Sequence, residues 1–229
     1  MALYVDSAYL NDITNVAQII PLAGITTSPS ILLATRERGQ ALKPQEVLLA
    51  LLQLPKMDTL DIFVQPGATD EEEMYQQVIG WVDPRSAYAR RLVHKIPMNH
   101  TGMRLARRLI ASEFRIRIAF TAVTTVVQAY TAAVMGVECV IPYYYRMEHS
   151  GIDASERIAE MAEVMHNHKF STRILVASIK TAADARCAVL AGAHDITAPP
   201  QVLLDMVNDP LTDEAIEQFS RDWNKMNKL

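Results

Sequence analysis

The chain has 229 residues, 50% of them hydrophobic by type, and a formal net charge of −4. That length suits one domain of barrel size, 1–229. So slight an acidic excess gives no general attraction to nucleic acid or anionic membranes, and any anion the protein binds must be held by a local site.

The first strand candidate, Leu3–Asp6, begins almost at Met1, with no basic n-region and no apolar h-region before it. No apolar run approaches the roughly 20 residues that span a bilayer, so the expectation is a cytoplasmic protein without membrane or nucleic-acid partners. Strands two and three are read at Gly24–Thr27 and Asp61–Gln65. A helix follows at Glu71–Trp81, with Thr69 and Glu72 spaced as a capping box and an acidic Asp70–Glu73 run suited to a helix N-terminus.

Strand four, Leu92–Pro97, leads to a helix at Thr101–Ser112, and strand five, Arg115–Ala122, to one at Val123–Met135. Strand six, Cys139–Tyr144, precedes the helix Ser155–His166; strand seven, Arg173–Ser178, precedes Ala182–Leu190, capped by Thr181. Asp195–Ala198 is the eighth strand. Gly136 and Gly192 close αβ loops, where a left-handed residue costs glycine nothing sterically. Eight strands alternating with helices fit a closed parallel (β/α)8 TIM barrel, an α/β fold, better than an open sheet. Leu211–Asn227 reads as an extra C-terminal helix, amphipathic through Ile216, Phe219 and Trp223, available to its own barrel or to a neighbouring subunit.

A barrel of this type builds its site at the C-terminal ends of the strands. Polar residues stand there in several apolar strands: Asp6, Thr26-Thr27-Ser28, Gln65, Lys95, Thr121, Tyr143 with Arg146, and Ser178. Lys95 is the sharpest signal. The two-residue period puts Val93, Lys95 and Pro97 on one face, opposite Leu92, His94 and Ile96. If the second face meets the helices, Lys95 points into the barrel, where lost hydration favours the neutral amine that attacks a ketone. The competing reading is a lysine that snorkels to solvent or pairs with Asp6.

Other features carry less. His166-Asn-His168 shows no third ligand, so no metal is expected. His94 should be a satisfied packing histidine, Arg107-Arg108 a solvated face, and the methionines core filler. Lys180 fits either a phosphate neighbourhood or a strand-end cover. Cys139 and Cys187 have neither metal-ligand nor disulfide-framework spacing, which suits a reduced compartment. There is no P-loop and no dinucleotide fingerprint.

Several blocks occur in one order: Leu3-Tyr-Val-Asp6, Pro21-Leu-Ala-Gly-Ile-Thr-Thr-Ser-Pro-Ser30, Phe63-Val-Gln65, Val93-His-Lys-Ile-Pro97, Thr121-Ala-Val, Ile141-Pro-Tyr-Tyr-Tyr-Arg146 and Ala177-Ser-Ile-Lys-Thr181. From Leu3 to about Trp223 the chain resembles the transaldolase family, and within it the fructose-6-phosphate aldolases. The resemblance implies a cofactor-free enzyme in which Lys95 forms a Schiff base with a ketose or hydroxyketone. Asp6 would orient hydroxyls or handle protons. Gln65, Thr121 and Tyr143 would hold a water, with Tyr143 as the acid–base group. Thr26 and Ser28 would contact the donor, and Arg146 and Ser178 the acceptor's phosphate.

In the transaldolase branch the positions of Gln65, Thr121 and Tyr143 typically hold Glu, Asn and Phe, so this chain falls on the aldolase side. It departs from the family in two places. Ser28 replaces an Asn that touches donor hydroxyls, and a shortened Met147-Glu-His-Ser-Gly-Ile152 replaces a loop with an Asp and a Gly-Gly pair, leaving donor and acceptor choice open. Tyr144 and Tyr145, in place of smaller residues, are expected to narrow the mouth. Relatives form homo-oligomers, pentamers stacked into decamers, with the terminal helix exchanged. The alternatives are a transaldolase moving a dihydroxyacetone unit between sugar phosphates, and a catalytically silent sugar-phosphate-binding barrel.

Overall fold

The computed structural model describes residues 1–83 and 85–227. Eight parallel strands close into a barrel in chain order: β1 (Ala2–Asp6), β2 (Gly24–Thr26), β3 (Asp61–Val64), β4 (Leu92–Pro97), β5 (Arg117–Val123), β6 (Cys139–Pro142), β7 (Arg173–Val176) and β8 (Asp195–Ala198). The expected (β/α)8 TIM barrel is therefore present. Around it run α1 (Leu10–Ala17), α2 (Pro29–Glu37), α3 (Pro44–Leu52), α4 (Glu71–Gly80), α5 (His100–Ile110), α6 (Val126–Val134), α7 (Tyr144–His149), α8 (Ala154–Asn167), α9 (Ala182–Leu190), α10 (Pro200–Asp205) and α11 (Pro210–Met226).

Strand alternation sorts the apolar residues into two cores. Tyr4, Phe63, Val93, Ala119, Cys139, Ile141, Leu175 and Ala177 fill the barrel interior. Ile62, Leu92, Ile96, Phe120, Val140 and Ile174 face outward and pack with the helices. Lys95 shares the inward face with Val93.

The N-terminal ends of the strands carry ion pairs. Arg117 binds both Asp61 and Glu138, and Arg173 binds Asp195. Their location opposite the mouth suits a role in holding strand ends together. At the other end, α5 rests directly on β4. A Cβ on Gly102 would lie 1.9 Å from the Pro97 carbonyl oxygen, so only glycine allows that approach, and Asn99 caps the helix by accepting from Gly102 N at 2.8 Å.

Gly136 and Gly192 take φ of 75° and 93°, as the αβ-loop reading requires. Thr181 caps α9 and receives the reciprocal contact from Asp184. The cap of α4 differs from expectation: Asp70, one residue after Thr69, accepts from the backbone of Glu72 and Glu73. A carboxylate at the N-cap also meets the positive end of the helix dipole. Strands β2, β3, β6 and β7 end one or two residues before the sequence reading, which leaves Gln65, Tyr143 and Ser178 on the rim just past the strands. β5 starts at Arg117 instead of Arg115 and runs on to Val123.

Five helices, α1, α2, α3, α7 and α10, were not anticipated. Three of them, α2, α3 and α10, open on proline near the first turn, where its fixed φ suits a helix start. Helix α11 buries none of its residues. Leu211, Ile216, Phe219, Trp223 and Met226 are each more than half exposed on it. Among the described residues, no helix is long and apolar enough to cross a membrane.

Candidate active site

Lys95 lies inside the barrel, only 4% exposed. Its Nζ donates to the Thr27 carbonyl oxygen at 2.8 Å. Among the described residues no carboxylate lies within ion-pairing distance of it. The snorkelling and ion-paired alternatives are both ruled out. An amine held only by a neutral carbonyl is positioned without being neutralised by a partner.

Beside it, where β1 and β2 end, Thr26 Oγ1 donates to Asp6 Oδ1 at 2.6 Å and meets Thr197 Oγ1 at the same distance. An ionised Asp6 can only accept, so Thr26 spends its one proton there and Thr197 donates to Thr26. Burial pushes the Asp6 carboxyl above the usual carboxylate range, against the opposing pull of Lys95, the Thr26 hydrogen bond and Lys180. Asp6 and Lys95 thus feel each other across the mouth without closing a salt bridge. Thr197, buried on β8, belongs to this cluster and was not singled out in the sequence. The period of two in Asp195-Ile-Thr-Ala198 carried the signal, since it turns Asp195 and Thr197 to one face.

On the opposite wall, Thr121 Oγ1 and Tyr143 OH stand 2.7 Å apart, with Thr121 1% exposed. The backbone here is irregular. Register with β6 shifts between Thr121 and Val123, and Ala122 takes a φ of 59°. A bulge at a barrel rim re-aims the neighbouring side chain, and backbone strain tends to be kept where it positions a site. Nothing in the sequence marks alanine for positive φ. Ser178, just past β7, is the same kind of outlier, with a φ of 60°. Its carbonyl accepts from Tyr145 N at 3.1 Å, tying the β7 rim to α7.

Gln65, past the end of β3, makes no hydrogen bond to Thr121 or Tyr143, and its Oε1 is buried without a partner. A buried acceptor left unmet is costly, and a water or ligand is the usual remedy. Arg146, on α7, stacks over the Tyr143 ring at 4.8 Å with its guanidinium exposed. Lys180 Nζ sits 5.9 Å from the centroid of the Tyr145 ring, and its charge is the least of those that oppose the upward shift of Asp6.

Ser28 is the N-cap of α2: its Oγ accepts from Ile31 N at 3.3 Å, which leaves its own proton free to donate. Two expectations need correction. Tyr144 does not narrow the mouth, being buried with its OH 3.0 Å from Ser155 Oγ; only Tyr145, stacked on His149, borders it. His94 faces the helices as alternation requires and stacks on Trp81 at 5.8 Å, yet its Nδ1 has no hydrogen-bond partner. Burial lowers its imidazole from 6.5 to about 4. Among the described residues no group of His, Cys, Asp and Glu could hold a metal ion, and His168 instead joins an aromatic cluster with Tyr130 and Phe170. Arg108 pairs with Glu72 and covers the Tyr75 ring on the exposed face of α5.

A parallel eight-stranded barrel with a lysine turned inward below a polar rim defines the class of protein. The family described as "Transaldolase/Fructose-6-phosphate aldolase" matches residues 3–229, and the chain belongs to it. "Probable transaldolase 2" of Bacillus anthracis is 30% identical over 230 residues, covering all of both chains. "Probable transaldolase" of Chelativorans sp. is 29% identical over 225 residues, covering 98% of this chain and 97% of its own. Among solved structures, a mutant flavocytochrome b2 with pyruvate bound superposes with a TM-score of 0.57 at 14% identity. That match covers 88% of this chain, which spans 57% of the flavocytochrome's length, and it shows the barrel fold alone.

Proposed function

We propose that the protein is a class I aldolase that makes and breaks ketose phosphates related to fructose 6-phosphate. The donor is dihydroxyacetone or a related hydroxyketone, and the acceptor is glyceraldehyde 3-phosphate. The observation that carries this reading is the Lys95 amine, enclosed by the barrel and held by one backbone carbonyl.

The Lys95 nitrogen attacks the ketose carbonyl carbon, and loss of water from the carbinolamine leaves an iminium ion. The bond between the third and fourth carbons then breaks. Its electron pair moves into the iminium to give an enamine, and the hydroxyl on the fourth carbon loses its proton as the aldehyde forms. Asp6, whose burial favours its protonated form, is suited to receive that proton. Reprotonation of the enamine carbon and hydrolysis of the iminium release the donor and restore the amine. The paired hydroxyls of Thr121 and Tyr143, with the unmet Gln65 acceptor, suit the positioning of the water that serves this step. Arg146, Lys180 and Ser178 line the rim where a phosphate dianion needs cations and hydroxyls. Thr26 keeps Asp6 in place, and the Ser28 hydroxyl, whose proton the α2 cap leaves free, suits a contact with a donor hydroxyl.

The relatives' names favour a second reading, a transaldolase that passes the three-carbon unit directly to another aldehyde. Incubation with fructose 6-phosphate alone separates the two. Free dihydroxyacetone accumulating without any added acceptor supports the aldolase; none accumulating, with exchange seen only when a second aldose phosphate is added, supports the transferase. Neither activity in a folded protein leaves the silent barrel.

The setting we propose for the protein is one domain in the cytoplasm, with sugar phosphates as partners, assembled as a homo-oligomer of pentamers or decamers. The five exposed apolar residues of α11 support assembly, since a stripe of this kind is rarely left to solvent.

A further inference from the structure

Thr197 is buried on β8, 1% exposed. Asp195, the other polar residue on its face of the strand, is tied to Arg173. Thr197 has a different partner: its Oγ1 lies 2.6 Å from Thr26 Oγ1, so the bond joins the two strands that flank β1 and residues 171 apart in the chain. The buried threonines Thr27, Thr35 and Thr172 each donate to a backbone carbonyl, which satisfies a hydroxyl without drawing in another side chain. Thr26 and Thr197 instead bond to one another and onward to Asp6.

The pair has a direction. With Asp6 ionised, Thr197 donates to Thr26 and Thr26 donates to Asp6 Oδ1, so both hydroxyl protons are used. With a proton on Oδ1 the order would reverse, and the buried Thr197 proton would meet no acceptor among the described residues, which is costly. The 2.6 Å bond from Thr26 to Asp6 lies in the short range of hydroxyls bound to an ionised acceptor, and hydroxyls in series polarise one another. Oδ2 makes no hydrogen bond among the described residues and is the oxygen left to take up a proton. The charges that act on Asp6 are Lys95 from β4 and, least, Lys180 from beyond β7; both favour ionisation against burial, as does the Thr26 bond.

We propose that Thr197 is a positioning residue of the reaction: by donating to Thr26 it fixes the Thr26 proton on Asp6 Oδ1, and so holds Asp6 as the carboxylate whose Oδ2 accepts the proton of the fourth-carbon hydroxyl. This rests on the aldolase reading above. As the bond between the third and fourth carbons breaks, its electron pair enters the iminium and the hydroxyl proton passes to Oδ2. Asp6 becomes the neutral acid, and it gives the proton up again when the enamine carbon is reprotonated.

Thr197→Val keeps the shape of the side chain and removes the hydroxyl. Carbon-13 NMR of labelled aspartate carboxyls follows Asp6 directly, its signal identified by loss in Asp6→Asn. Asp6 is expected to titrate about 0.3–1 pH unit higher in Thr197→Val than in the wild type, the effect of one lost supporting hydrogen bond. The acid limb of the kcat/KM profile for fructose 6-phosphate cleavage moves up by the same amount, so the deficit shrinks as pH rises. Thr197→Ser, which keeps the hydroxyl, restores both readings, and thermal unfolding verifies that both variants fold. An unmoved Asp6 titration in Thr197→Val overturns the proposal, as does a serine variant shifted as far as the valine one. A loss of kcat/KM by one factor at every pH, the mark of a merely structural role, overturns it too. If Asp6 titrates as expected but the wild type cleaves no ketose, the aldolase reading has failed instead.

Discussion

Replacing Tyr143 by Phe removes one hydroxyl from a pair whose other member is almost wholly enclosed. Thr121 is 1% exposed, and its Oγ1 loses the one side-chain partner it has among the described residues, 2.7 Å away. A buried hydroxyl left unmet costs about 1–3 kcal/mol. The Thr121→Val variant removes the other partner, and the double variant leaves neither group wanting. The stability losses of the single variants are therefore expected to exceed, in sum, that of the double variant by about 1 kcal/mol or more. Kinetics carry the functional half. If Tyr143 supplies or orders the proton that releases the enamine, Tyr143→Phe slows dihydroxyacetone release by about 10²–10⁴-fold, the usual range for a general acid. Transfer of the same unit to an added aldehyde falls less, because it needs no reprotonation of the enamine carbon. The assay follows both products from fructose 6-phosphate with and without acceptor. A release-to-transfer ratio equal to that of the wild type refutes the water-handling role.

Other consequences concern charge and assembly. The His94 imidazole is lowered from 6.5 to about 4, so the fold prefers it neutral, and stability is lost as pH falls through that window, by up to about 3 kcal/mol. In His94→Phe the melting temperature should fall less between pH 6.5 and 4; an unchanged slope contradicts the burial argument. Asp6 shifts the other way: its folded value is raised, so its ionisation costs stability increasingly as pH rises above the ordinary carboxylate range of about 4. Asp6→Asn should therefore melt progressively higher than wild type toward pH 7 while losing turnover, and an advantage confined to acid pH would reverse the sign. Arg146→Ala is expected to raise KM for phosphorylated aldehydes by about tenfold to a hundredfold, with little change for unphosphorylated ones. Equal losses for both would place Arg146 outside phosphate binding. Trp223→Asp on α11 should lower the mass seen by sedimentation without unfolding the barrel; an unaltered mass removes that helix from the interface.

The barrel was legible because its strands obey a strict two-residue period between glycine- and cap-marked turns. Lys95 could be placed inward from Val93 and Ile96 alone. What was missed lies where tertiary context overrides local pattern. Helices α1 to α3 are short, and the capping of α2 depends on Ser28, a residue that reads equally well as a ligand contact. Tyr144 and Tyr145 are chemically alike and adjacent, yet the start of α7 sends one into the core and the other to the rim. The positive φ of Ala122 and Ser178 leaves no compositional trace, since neither residue type favours it. Thr197 was readable from alternation and was overlooked because β8 is short.

Turnover by an aldolase of this kind requires the Lys95 amine to condense with a carbonyl, and borohydride reduction with hydroxyacetone addresses that directly. Peptide mass analysis is expected to find one reduced ketone adduct per chain, on the peptide carrying Lys95, and none in the correctly folded Lys95→Met variant. An unmodified Lys95 at saturating ketone, or an adduct on Lys180 in its place, contradicts the assignment.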